Sequence, residues 1–334
     1  MLLAKRLSLY VVMGLLICLT VSRAGAQQPK VTPAWPENLP VYDHIVIVLE
    51  ENKDYEQIVN SARTPYISKT LCAEGASLTK MYGEEHRSEG NYFWLISGSN
   101  QNIGFRDELP SKSNPKDYPF MGPNLFEQLL KKGLSCKGYS EDLPAIGDPV
   151  EKVGYYARKH VPWVSFGNIP NGKTVEDSSH LRFSDFPKDF SKLPTMSFVI
   201  PNLIDDMHNG HTAVSVPAGD AWLKTNLDAY YQWAKTHNSL LIITFDEDNN
   251  GGPGETDPAD ARGITKQNRI PTIIAGAHIT HGDYEEGRGV THVNLLRTFE
   301  AMYKLNRCGK QQANALKAGM TDDYIITDIF EPVR

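Results

Sequence analysis

His44-Ile45-Val46-Ile47-Val48-Leu49, closed by Glu50-Glu51-Asn52-Lys53-Asp54, sets the reading of the whole chain. Ile45 to Leu49 is short, continuous and mostly β-branched, as expected of a strand covered on both faces. Three further runs share that character: Ser197 to Ile200, Leu240 to Phe245 and Thr272 to Ala275. Between and after them lie helical patterns. Asn124 to Lys132 ends at Gly133, Leu223 to His237 is amphipathic, and Asn294 to Leu305 places Leu295, Phe299, Met302 and Tyr303 at helical spacing. Strands alternating with helices predict an α/β fold of three layers, with a mostly parallel central sheet and helices on both faces. Residues 100–190 are richer in Pro, Gly, Lys and Asp, and are expected to form a cap-like excursion over one end of the sheet. No repeat or internal linker divides residues 41–334, which are expected to form one domain.

In such sheets ligands gather at the carboxyl ends of the strands. The residues that follow the first three runs are unusually polar: Glu50 to Asp54, then Asn202, Asp205, Asp206 and His208, then Asp246 to Asn250. One such cluster alone reads as solvated loop. Three at successive strand ends would converge, and a divalent cation resolves so much negative charge. Its identity stays open between Mg, Ca or Mn for an oxygen set and Zn, Fe or Mn if imidazoles join. Asp246 to Gly251, with Asp257 at the twelfth position, also matches the start of a calcium loop. That motif needs a preceding helix, whereas a strand is expected here, leaving at most a structural cation on Asp248 and Asn250. Ser88, ahead of the apolar stretch Phe93 to Ile96, is either a helix cap or a nucleophile set where a helix N-terminus favours phosphate.

Lys5 and Arg6, the apolar run Leu7 to Thr20 and Ala24-Gly25-Ala26 read as a signal peptide removed after Ala26. The run is shorter than the roughly 20 residues of a spanning helix, so no membrane anchor is expected after cleavage. The expected product is secreted or periplasmic and opens with a flexible polar segment, residues 27–40. It carries 31 basic and 40 acidic side chains, a formal charge of −9. Without a basic stripe, nucleic acid is not an expected partner. Cys72, Cys136 and Cys308 are too few and scattered for a disulfide scaffold or thiolate cluster. A single Cys72–Cys136 bridge is the weakly preferred pairing after export.

Asp43 to Tyr55 resembles the opening block of the bacterial phosphoesterase family, which holds acid phosphatases and phosphatidylcholine-type phospholipases C on an alkaline-phosphatase-like core. Further blocks match in order: His86 to Tyr92, Ser97-Gly98, Gly138 to Pro144, Tyr156 to Pro162, Ile200 to His208, Ile243 to Asp248, Asn268 to Pro271 and His292 to Glu300. The resemblance implies that Glu51, Asn52, Asp246 and Glu247 bind the cation, with Ser88 as both metal ligand and nucleophile. It also places Asn91, His160, Asp206, His208 and His292 around the phosphate. Arg87 and Gly90 stand where Pro is usual, and Lys53 where His or Arg is common. Arg87 or Lys53 is thus expected to bind phosphate oxygens.

The implied chemistry is attack by Ser88 on phosphorus, charge steadied by the metal and Asn91, and protonation of the leaving alcohol by His160 or His208. The expected substrate is a small phosphate monoester, as for an acid phosphatase. The alternative is a phospholipase C, for which Tyr155, Tyr156, Val161, Pro162 and Trp163 would form the apolar rim. A non-catalytic binding protein is the other class considered. It would have lost Ser88 or one acidic pair, and both are present. A sulfatase-like enzyme needs a C/S-x-P-x-R motif, which the chain lacks. His44 is expected to make a structural hydrogen bond, and His180, His237, His278 and His281 to lie at the surface.

Overall fold

The quoted run forms strand β1 (His44–Glu50) of a computed structural model that describes residues 34–104, 107, 109–111, 118–249, 268–285 and 289–332. The expected signal peptide, residues 27–33, Asn250 and Asp257 lie outside the described residues. Seven more strands join β1 in one sheet: β2 (Ala76–Leu78), β3 (Cys136–Ser140), β4 (His180–Arg182), β5 (Met196–Ile200), β6 (Ser239–Phe245), β7 (Thr272–Gly276) and β8 (Gly282–Tyr284). Their order is β8-β2-β7-β6-β1-β5-β3-β4. All neighbours run parallel except β7, which is antiparallel to both β6 and β2.

The apolar runs are continuous because both faces are covered; every residue of β5 and β6 is buried. Four principal helices complete the layers: α1 (Ser88–Ser97), α2 (Leu125–Lys131), α3 (Thr212–Ala234) and α4 (His292–Met302). Helix α3 packs on β6 and β7, and α1 packs on α4. Helix α3 begins at Thr212, eleven residues before the amphipathic stretch expected from Leu223, and carries Pro217 inside it. Among the described residues no helix is long and apolar enough to cross a membrane.

Several expectations are corrected. Part of the 100–190 stretch belongs to the sheet, since it supplies β3 and β4. Strand β3, CKGYS, hides because Gly138 interrupts it. A Cβ there would lie 1.9 Å from the Trp163 ring, so the glycine is the space the tryptophan fills. Trp35 to Pro40 of the expected flexible segment is anchored. Trp35 Nε1 donates to the Leu305 carbonyl at 2.7 Å, and the Arg307 guanidinium lies 4.2 Å from its ring centre.

Cys72 and Cys136 are both free thiols. Cys72 opens a short helix packed on β7 and β8, whereas Cys136 starts β3, four strands from β7 and so roughly 19 Å across the sheet. His180 is fully buried rather than superficial, within 3.2 Å of the Tyr156 hydroxyl, and burial pushes its pKa down to about 3.

Candidate active site

Register brings the acids together. Glu50 pairs with Phe245 across β1 and β6, so Glu51 and Asp246 leave adjacent parallel strands at the same level. The loop after β5 closes the third side, where the Glu51 N–H donates to the Asp206 carbonyl at 2.7 Å. Asn52 takes a positive φ of 36° at this crossing. Its backbone N–H donates to Asp246 Oδ1 at 3.0 Å, and its Nδ2 donates to Glu247 Oε1 at 2.8 Å.

Ser88 is the first residue of α1, following Arg87 at a φ of 114°. It does not cap the helix. Its Oγ lies 3.0 Å from Glu51 Oε2 and 3.2 Å from Glu247 Oε1, so two carboxylates compete for one hydroxyl proton. Glu51 Oε1 also accepts from the Tyr92 hydroxyl at 2.5 Å. Glu247 Oε2 accepts from His86 Nδ1 and, at 3.3 Å, from the Arg87 N–H.

Packing these carboxylates in a buried space raises their proton affinity. Burial first, and Asp206 next, push the Glu51 pKa up to about 8. Asp246 and Asp206 are likewise held well above the carboxylate range, chiefly by burial. Asp246 Oδ2 and Asp206 Oδ2 are buried and lack a hydrogen-bond partner.

Among the described residues no three Asp, Glu, His or Cys side chains form a finished metal cage. What converges is an oxygen set of Glu51, Asn52, Asp246 and Glu247 around Ser88, bridged by hydroxyl and amide protons. Its orphaned Asp246 oxygen and concentrated negative charge suit a hard divalent cation.

The site opens into a cleft of about 560 Å³ bordered by Asn52, Lys53, Arg87, Ser88, His208 and Glu247. Lys53 is nearly buried and donates to the Asn52 carbonyl at 2.9 Å; burial lowers its pKa. The Arg87 side chain is exposed on the rim. His208 Nδ1 bonds Asn209 Oδ1 at 3.0 Å, its N–H donates to Asp206 Oδ1 at 2.8 Å, and burial lowers its pKa.

Three expected site residues are buried around the acids. Asn91 Oδ1 accepts from the Glu84 and Glu85 N–H groups, and its Nδ2 donates to the Glu85 carbonyl at 2.6 Å. It holds the turn before Ser88. His292 Nε2 bonds the Phe245 carbonyl at 2.8 Å beneath the site, is fully buried and has its pKa pushed down to about 4 by burial. His160 is buried too, stacked on Tyr92 with ring centres 5.2 Å apart. Its Nε2 sits 3.1 Å from Glu51 Oε1 without hydrogen-bond alignment, and burial holds its pKa well below the usual value.

His86, Tyr92, Asp107 and Lys159 complete the site and were not singled out from the sequence. The first two lie in the same block as Ser88, and Lys159 precedes His160, so their signal was proximity. Asp107 gave none.

The model of the Phosphoesterase family matches residues 60–306, which include Ser88, Asp246 and Glu247. The chain is 40% identical over 273 residues to the phosphatidylinositol-3-phosphatase of Mycobacterium tuberculosis, covering 81% of this chain and 80% of that protein. It is 25% identical to the acid phosphatase of Aspergillus fumigatus and 28% identical to the phosphate-repressible acid phosphatase of Penicillium chrysogenum. These alignments cover 79% and 83% of this chain, which spans only 56% and 63% of those proteins. A protein of the alkaline phosphatase superfamily from Vibrio parahaemolyticus shares the fold, with a TM-score of 0.55 at 15% identity over 88% of this chain and 73% of that one.

Proposed function

Because this chain belongs to the phosphoesterase family and is a phosphoric ester hydrolase, we propose that it is an exported, cation-dependent phosphomonoesterase of acid phosphatase type. The observation that carries the reading is the Ser88 hydroxyl held between Glu51 and Glu247 at a helix N-terminus on the cleft floor.

Glu51, Asn52, Asp246 and Glu247 would hold the divalent cation, which would stabilise the serine oxyanion and draw charge from the phosphoryl group. Ser88 gives its proton to a neighbouring carboxylate, and Oγ attacks phosphorus while the ester P–O bond breaks. The dipole of α1 favours the incoming phosphate, and Arg87 on the rim is placed to meet its free oxygens. The leaving alkoxide takes a proton from His208. Water then attacks the phosphoserine, giving a proton to His208, and Ser88 recovers its own as phosphate departs. His208 must start protonated although burial lowers its pKa, so turnover should fall as pH rises, as for an acid phosphatase.

Names of relatives favour the monoester reading, since the mycobacterial protein is named for removing a phosphate from a phosphoinositide and the fungal ones are acid phosphatases. The apolar rim that would favour a phospholipase C is mostly core: Tyr156, Val161, Pro162 and Trp163 are buried, leaving Tyr155 exposed.

Ser88→Ala should abolish hydrolysis of p-nitrophenyl phosphate with unchanged thermal stability, and chelation should do the same reversibly. Comparable activity in the variant would remove Ser88 from the mechanism. Faster cleavage of phosphatidylcholine than of the monoester would replace the acid phosphatase reading.

A further inference from the structure

A second groove, of about 430 Å³, adjoins the catalytic cleft and shares Asp107 and His208 with it. Its remaining wall comes from the hairpin that pairs Lys152–Val153 with Tyr156–Ala157, together with Leu109 and Leu203. The hairpin is pinned to the loop carrying His208, because the Leu203 N–H donates to the Tyr155 carbonyl at 3.0 Å. Most charges around it are spent in pairs. Asp107 lies 3.0 Å from Lys159 Nζ, and Glu151 lies 3.7 Å from the Arg158 guanidinium. Lys152 is exposed and has no ion-pair partner among the described residues. The groove thus offers apolar surface from Leu109, Ala157 and Leu203 and, among the described residues, one cation without an ion-pair partner.

We infer that this groove is the leaving-group subsite, selecting phosphate esters whose alcohol is a short carbon skeleton ending in an anion. The inference rests on the reading of Ser88 as nucleophile and His208 as proton donor. In-line attack puts the leaving oxygen opposite Ser88, and the proton donor must stand beside that oxygen. The alcohol then continues past His208, where the carbon chain lies on Leu203 and Leu109 and the terminal anion meets Lys152.

Sorbitol 6-phosphate and 6-phosphogluconate test this, being open chains matched in carbon number and in the position of the ester but differing in a terminal carboxylate. The wild-type enzyme should show kcat/KM about fivefold higher for 6-phosphogluconate, the scale of one solvent-screened ion pair. Lys152→Ala should bring that ratio close to one and Lys152→Glu should invert it, both leaving sorbitol 6-phosphate and p-nitrophenyl phosphate within about twofold of wild type. A wild-type ratio near one, or a ratio that survives both substitutions, would overturn the subsite. So would turnover of p-nitrophenyl phosphate with neither sugar ester cleaved. Failure of the wild type on all three esters would instead strike the reading of the catalytic site, and the subsite with it.

Discussion

Ser88 meets Glu51 from 37 positions away and Glu247 from 159, and it meets both through its hydroxyl. His208 borders the same cleft, and its role as proton donor yields a selective prediction. His208→Ala should lower kcat/KM, which reports only the steps through release of the alcohol, about a hundredfold or more on an alkyl phosphate, whose alkoxide needs a proton to leave. On p-nitrophenyl phosphate, whose phenolate leaves unaided, the loss should be far smaller. Equal losses on the two esters would show that His208 acts otherwise. The acids that gather at Ser88 were legible because carboxylates at three strand ends have one economical explanation. The partners of Asn91 and His292 were not legible because they are backbone groups: the Glu84–Arg87 turn for one and the Phe245 carbonyl for the other. A sequence displays side chains and says nothing of which carbonyl will lie beside them.

Strands β1, β5, β6 and β7 could be read directly, since burial on both faces leaves a continuous, mostly apolar run in each. Strands β3 and β4 could not. Strand β4 is short, and Lys137, Gly138 and His180 break the apolar pattern that would mark a buried strand. Gly138 is set by Trp163, and only the folded chain brings those two together. Gly138→Ala should therefore overpack that contact and cost about 1–3 kcal/mol, seen as a fall of several degrees in thermal midpoint. Gly122→Ala, where no heavy atom lies within 4 Å of the added carbon, should change stability by less than about 0.5 kcal/mol. Equal effects in calorimetry would contradict the packing argument.

Across the whole molecule the chain keeps several carboxyls out of water. Glu51, Glu84 and Glu89 are pushed from 4.5 to about 8, about 8 and about 9, in each case first by burial. Without a cation, the folded state then holds protons that the unfolded chain has released. Their contribution is fullest below 4.5 and is lost as pH rises through the window up to 8 or 9. The thermal midpoint of chelated protein should fall between about pH 5 and about pH 8, and added Mg, Mn, Ca or Zn should restore more at the higher pH. A midpoint indifferent to cation at both pH values would count against the oxygen set as a metal site. The ends of β1 and β6 and the start of α1 converge on one oxygen atom, so the most direct measurement is of that oxygen. Wild-type protein mixed with p-nitrophenyl phosphate, quenched in acid and mapped by mass spectrometry, should carry one phosphoryl group on Ser88. A phosphoryl group found on any other residue would contradict the account.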